Sequence, residues 1–287
     1  MLSVTGKGLD IFAVMLTYPL QQDHSRAEKF FRYITQCWFI LFLLGQLLFA
    51  SYIFLFYWRS AIMGQPESWN EVVAGLYAKG AHFKNTVFAL HVFIAAIISL
   101  IGPLQLIPAL RAYAPRFHRI SGRIYIFFAF AIGIDGLLLV WRKGAVGGTV
   151  DHAIISVNAL IILVCAYATI KHATKRQLKA HNRWAVHLVL AMSGVWLFRV
   201  FLMCWLAVNQ KPVGFDPDTF TGPFLTFLSI SVYILPQVIV WQYFNAREAI
   251  APGKKRIFST LLLFITLTMA IGIFAATMGL WLPRIKG

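Results

Sequence analysis

Seven stretches of the chain hold about twenty or more mostly apolar residues, close to 35–57, 85–110, 121–141, 152–170, 184–207, 223–244 and 258–281. A run of that length, wound as a helix at about 1.5 Å per residue, matches the hydrocarbon thickness of a bilayer. No water reaches that depth, so every backbone N–H and C=O must find its partner inside the segment. Helices meet that demand, and these stretches lack the period-two alternation of a membrane barrel. The expected fold class is all-α: a polytopic membrane helix bundle of about seven transmembrane helices. Composition agrees, because charged residues make up 13% and mean hydropathy is +0.72, whereas soluble domains are about a quarter charged.

The formal net charge is +16. In a soluble chain that excess would suggest nucleic acid. Here the cations sit in short loops between apolar spans, which is how membrane orientation is set, so no nucleic-acid partner is expected. Of the 26 Lys and Arg, 17 fall on the side of the N-terminus and the even corners, 8 on the other side, and Arg199 lies within a span. The bias places the N-terminus in the cytoplasm and the C-terminus outside. Residues 1–34 read as a cytoplasmic N-terminal segment, with an interfacial amphipathic helix at 9–20. Its apolar stretch is too short for a cleavable signal. Residues 35–287 read as a single transmembrane bundle, and no loop is long enough to hold a catalytic domain. Cys37, Cys165 and Cys204 each lie within an apolar span and form no CxxC, so neither a disulfide framework nor a thiolate metal site is expected. The loop at 208–222, with two Asp, two Pro and two Gly, reads as an ordered turn-rich cap.

Ionisable groups at membrane depth are expensive, so by default they are paired or functional. Counting along the helices places His91 and Asn158 roughly 9–10 Å from the outer face, with Asp135 and Arg199 roughly 10–12 Å from it. The bland reading of this layer is an Asp135–Arg199 ion pair joining spans three and five, with the others as interhelical hydrogen bonds. A second layer near the inner face holds Gln105, His118, His181, His187 and Gln237. His181 and His187 are six residues apart, not on one helix face, and only one of them is expected to face a common centre. By depth alone, His187 is the better placed.

Listed by span, the histidines alternate: His91 outer, His118 inner, His152 outer, His187 or His181 inner. Two stacked b-type haems need such an arrangement, each iron held by imidazoles from two facing helices. The first functional reading is thus a haem b protein (one haem or two) that moves electrons, with quinone or quinol, or a redox partner, at one end. In it His91 and His152 hold an outer haem and His118 with His187 or His181 an inner one, while Arg199 neutralises a propionate. The alternative is a non-redox carrier or accessory subunit with a polar intramembrane pocket made by His91, Asp135, Asn158 and Arg199. An enzyme acting on a lipid or polyprenyl substrate has less support, since there is no DxxD pair, no nucleophile with a base and no carboxylate-rich inner loop.

Several motifs are more specific. They are Gly102-Pro103-Leu104-Gln105; Arg116-x-His118-Arg119-x-x-Gly122-Arg123-x-Tyr125; His181-x-Arg183-Trp184; Gly194-Val195-Trp196-x-Phe198-Arg199; and Gly214-Phe215-Asp216-Pro217 with its continuation to Phe224. Over about 85–247 the chain resembles the bacterial predicted membrane proteins of domain-of-unknown-function family 2306. The resemblance implies a multi-pass protein of the bacterial inner membrane. In that family the position of His187 is commonly Arg, which favours His181 and His118 as the inner pair. The four-span histidine arrangement is also similar in topology to the two-haem ascorbate-reducible transmembrane cytochromes b. Read physically, the HRxxGR corner sets three cations against phosphate headgroups of membrane lipids, each contributing about 1 kcal/mol, and Gly122 allows close helix approach.

Overall fold

The computed structural model describes residues 25–72, 75–143 and 148–286. The interfacial helix expected at 9–20, and His24, lie outside the described residues. Helix α1 (Arg26–Tyr52) starts ahead of its apolar stretch. Ser25 caps it, its hydroxyl accepting from the Glu28 N–H at 3.3 Å. A π-helical turn (Ile53–Trp58) and the short α2 (Arg59–Ile62) prolong it, so the first span runs from Arg26 to Ile62. The loop that follows tucks Trp69 under the helix end, where its indole N–H reaches the Ser60 hydroxyl at 2.7 Å.

The chain continues through α3 (His82–Gln105), α4 (Pro108–Tyr113), α5 (Pro115–Lys143), α6 (Thr149–Thr174), α7 (Leu178–Met192) and α8 (Gly194–Asn209). It ends with α9 (Pro223–Tyr233), α10 (Leu235–Glu248), α11 (Pro252–Ala276), a second π-helical stretch (Thr277–Trp281) and α12 (Leu282–Lys286). Among the described residues, six helical segments are long and apolar enough to cross a membrane, and α7 with α8 makes a seventh if that bent pair is one span. The fold class is all-α, and the described residues contain no strand.

The fifth span corrects the sequence reading. A straight helix over 184–207 is expected, but α7 and α8 meet at 54° around Ser193. The cause is local. A Cβ on Gly194 would come within 2.5 Å of the Tyr233 ring, so the glycine lets α9 press against the junction. The amide of Ser193 is shared between the Val189 and Leu190 carbonyls.

Helix α5 lies between α3 and α6, and α6 carries α7 on one flank and α9 on another. Helix α11 fills the space between α1 and α8. The centre is held by Phe42, Trp196, Val200 and Met269, all essentially buried; Phe42 meets Trp196 edge-on at 5.4 Å. The α8–α11 crossing is the tightest. A Cβ on Gly272 would lie 2.2 Å from the Val200 carbonyl oxygen. The loop at 210–222 forms the expected cap. Its Asp216 N–H donates to the Thr221 carbonyl and the Trp205 indole donates to the Val213 carbonyl at 2.9 Å. The Asp218 N–H and the Thr219 hydroxyl hold the Asp216 carboxyl below the usual carboxylate range.

Because the Gly272 neighbour is backbone and cannot move aside cheaply, Gly272→Ala is expected to destabilise the bundle by about 1–3 kcal/mol. Gly253→Ala, which meets nothing within 4 Å, is expected to leave stability within about 0.5 kcal/mol. Melting of the two variants side by side in one detergent checks this.

Candidate functional site

The motifs that carry the family resemblance interlock. The Gln105 amide donates to the Ser121 hydroxyl at 2.8 Å, and that hydroxyl donates to the Phe117 carbonyl at 2.6 Å. A Cβ on Gly122 would sit 3.0 Å from the Gln105 side-chain oxygen, and one on Gly102 would sit 2.9 Å from the Tyr125 ring. The GPLQ end of α3 and the HRxxGRxY start of α5 are therefore fitted to one another. Beside the clamp, His118, Arg119 and Arg123 of α5 border open space.

That space is a cavity of about 2230 Å³ beginning at the basic end of the bundle. His118, Arg119 and Arg123 line it from α5, and Lys179 and His181 from α7. Arg32 faces it from α1. The lining continues as an apolar wall through Leu188 and Phe201 to Trp205 and Phe224, near the capped end. Two carboxylates stand on the rim, and both are engaged: Glu248 with Arg183, and Glu28 with Lys255. Arg32, Arg119, Arg123 and Lys179 form no ion pair among the described residues. The cavity is thus greasy along its length and cationic at one mouth.

His118 and His181 both face this cavity. The Nδ1 of His181 lies 3.0 Å from the Thr169 carbonyl, which can only accept, so Nδ1 carries a proton and Nε2 is the ring nitrogen left to face another partner. His187 corrects the depth argument. Its Nδ1 bonds the Gln237 side-chain oxygen at 2.8 Å, and the Gln237 amide returns to the His187 carbonyl at 3.4 Å. His187 and Gln237 therefore join α7 to α10 and lie outside the cavity wall. A six-residue offset turns the two histidines to different sides of α7, and α10 occupies the side of His187.

The outer layer does not converge. Asp135 accepts from His91, with Nδ1 to Oδ2 at 3.0 Å, where Arg199 was expected; the two side chains are 35% and 34% exposed. Asp135 and His91 lie on α5 and α3, which pack together, whereas Arg199 is on α8 and faces Phe49 instead, its guanidinium 5.8 Å from the ring centroid. The Asn158 amide donates to the Ala191 carbonyl at 3.3 Å, next to the α7–α8 bend. His152 stands in the first turn of α6, its ring 6.4 Å from that of Trp141. Helix α3 packs chiefly on α1 and α5, and α6 on α5 and α7, so α5 stands between the helices of His91 and His152. Among the described residues, no group of three or more His, Cys, Asp or Glu is placed to hold a metal ion. Sequence reasoning missed Thr169, whose contribution is a backbone carbonyl, and the aromatic shell of Arg199. The Tyr52–Trp58 aromatic run at the end of the first span was the available signal for that shell.

The His91–Asp135 bond links two spans and is expected to be worth about 1 kcal/mol. His91→Ala and Asp135→Ala should therefore be non-additive in a double-mutant cycle. Asp135→Ala with Arg199→Ala should be additive within about 0.5 kcal/mol, because they share no partner. Unfolding of the single and double variants in bicelles measures both couplings.

A search of curated proteins and a search of solved structures each found no match. A family model does match. It begins in α3 just ahead of His91 and ends in the cap, taking in the α3–α5 clamp, His118, His181 and the bend, and leaving α1 and α9–α12 outside. Residues 88–218 of this integral membrane protein match the family described as predicted membrane protein (DUF2306).

Proposed function

We propose that the protein binds a membrane amphiphile, with a long apolar body and an anionic head, in the cavity at its basic end, and acts as a carrier or accessory protein for that molecule. The observation that carries this reading is the combination of an apolar wall with a rim whose acids are already paired and whose Arg119, Arg123 and Arg32 form no ion pair among the described residues and can meet a phosphate or carboxylate. At about 2230 Å³ the cavity exceeds the roughly 300–1,000 Å³ of a drug-sized pocket. It has the reach for a lipid tail or an isoprenoid chain lying along the bundle. In this reading the cationic mouth faces the cytoplasm, as the positive-inside bias of the sequence supports, and the membrane is a bacterial inner membrane.

A second reading has its own support. His118 and His181 line the same cavity, and the Thr169 carbonyl fixes His181 in the tautomer that offers Nε2 to a metal. A haem b is itself an amphiphile with anionic propionates, and two imidazoles are enough to hold it for electron transfer. This reading takes one haem at the basic end, on His118 and His181, with quinone or another redox partner alongside. His91, His152 and His187 are left to their helix contacts.

Organic extraction of the purified protein followed by mass spectrometry is expected to recover a stoichiometric anionic amphiphile. The Arg119→Gln, Arg123→Gln double variant should lose most of it. Equal recovery from the double variant, or none from wild type, would count against the carrier reading. Oxidised and dithionite-reduced spectra of haem-replete protein decide the second reading. Sharp α and β bands that vanish in His118→Ala and in His181→Ala would support it, and a featureless spectrum would end it.

A further inference from the structure

Beyond the bend in the fifth span, away from the basic cavity, lies a second set of uncommitted polar groups. Arg199 is half-buried on α8, within a candidate span. Its guanidinium has five N–H donors, and the hydrogen bond it makes among the described residues runs to the Val195 carbonyl of its own helix, at 3.1 Å. No described carboxylate lies within ion-pair distance of it. A guanidinium at membrane depth without a counter-charge is costly, and such groups ordinarily find an anion.

The surroundings of Arg199 are aromatic and rich in donors. The guanidinium stands over Phe49 and acts electrostatically on the hydroxyls of Tyr57 and Tyr233. Tyr57 packs on Tyr52, ring centroids 5.8 Å apart, and Tyr52 stacks on Trp281 at 6.2 Å. Phe49 closes the group, 5.6 Å from Trp281. Tyr52 is 3% exposed and Trp281 1%. The Trp281 indole nitrogen nonetheless has no hydrogen-bond partner among the described residues, and the Tyr52 hydroxyl has that of Tyr57 beside it. Buried donors are almost always paired, and an orphaned indole N–H with a phenol pair in one aromatic group around an unpaired cation points to an acceptor. A second guanidinium, Arg284, also acts on Tyr57 from the chain's last helix. Two acids stand near the group: Glu71, whose backbone carbonyl accepts from Arg284 at 3.3 Å, and Asp151, which acts on Tyr233. The Asp151 oxygens are already taken by the Gly148 N–H at 3.1 Å and the Ser229 hydroxyl at 3.0 Å.

We propose that Arg199, Tyr52, Tyr57 and Trp281 form a binding site for a small monovalent anion, a halide or a short carboxylate. The guanidinium supplies the charge, and the phenol and indole groups supply directed donors. The aromatic walls favour a weakly hydrated ion over a strongly hydrated divalent one. With one cation inside and Arg284 at the margin, the site suits a single negative charge. It is separate from the amphiphile cavity, whose walls include none of these four residues.

The test uses the full chain in detergent, in sodium gluconate at fixed ionic strength, with chloride or acetate replacing gluconate stepwise. Wild type is expected to show a saturable rise in melting temperature with at least one of the two ions, as ligand binding to the folded state requires. Whichever ion saturates at lower concentration identifies the source, halide or carboxylate. Trp281→Phe and Tyr52→Phe keep the rings and remove only the donors. Each is expected to raise the half-saturating concentration about tenfold, and Arg199→Gln to abolish saturation. If Arg199→Gln does not fold, the two Phe variants decide. No saturable rise in wild type with either ion, or a half-saturating concentration unchanged in both Phe variants, would overturn the proposal.

Discussion

The bend at Ser193 and Gly194 is the constraint on which the rest of the bundle depends. Breaking a helix inside a membrane strands backbone carbonyls where no water can reach them. Two other spans supply the repair. Asn158 of α6 donates to the Ala191 carbonyl, and Gln46 of α1 donates to the Ser193 hydroxyl at 3.2 Å, which in turn bonds the Val189 carbonyl. Gln46 is 2% exposed, and a glutamine buried that deeply in an apolar span is tolerable only with such a partner. The bend therefore fixes the relative placement of α1, α6, α7 and α8. Tyr233 of α9 is drawn in as well, because only a glycine at 194 leaves room for its ring.

The consequence is a division of the interior. On the basic side of the bend, α7 leans so that His181 and Lys179 face the cavity. On the other side, α8 turns Arg199 into the aromatic group at the end of the first span. The two π-helical stretches belong to the same arrangement. Ile53–Trp58 and Thr277–Trp281 rotate Tyr57 and Trp281 relative to a regular helix, and π-turns of this kind recur at functional positions.

Much of this architecture is legible in the sequence because it follows from hydrophobic length alone. Span positions, the ordered cap and the close approach at Gly122 all come from one-dimensional signals. A count of residues gives an expected depth but not the rotation about each helix axis. The count puts Asp135 and Arg199 in one layer, yet they sit on helices that are not packing neighbours, and Asp135 meets His91 instead. The same blindness separates His181 from His187: depth favours the second, while the neighbouring α10 claims it through Gln237. The bend escapes notice for a different reason. A Ser-Gly pair without proline is common inside membrane helices, and the ring that packs against this one belongs to Tyr233 of α9.

The motif residues from Gly102 to Tyr125 carry a further lesson about what such a motif does. Four of them, together with Ser121, are occupied in making α3 and α5 fit: Gly102 against Tyr125, and Gln105 with Ser121 against Gly122. None of these contacts is chemistry on a ligand. Their effect is to hold α5 at one rotation, in which the intervening His118, Arg119 and Arg123 line the cavity. A larger residue at 122 would push Gln105 off Ser121 and turn that cationic face. The spacing HRxxGR is thus best understood as two interleaved sets, one that sets the angle of the helix and one that uses it.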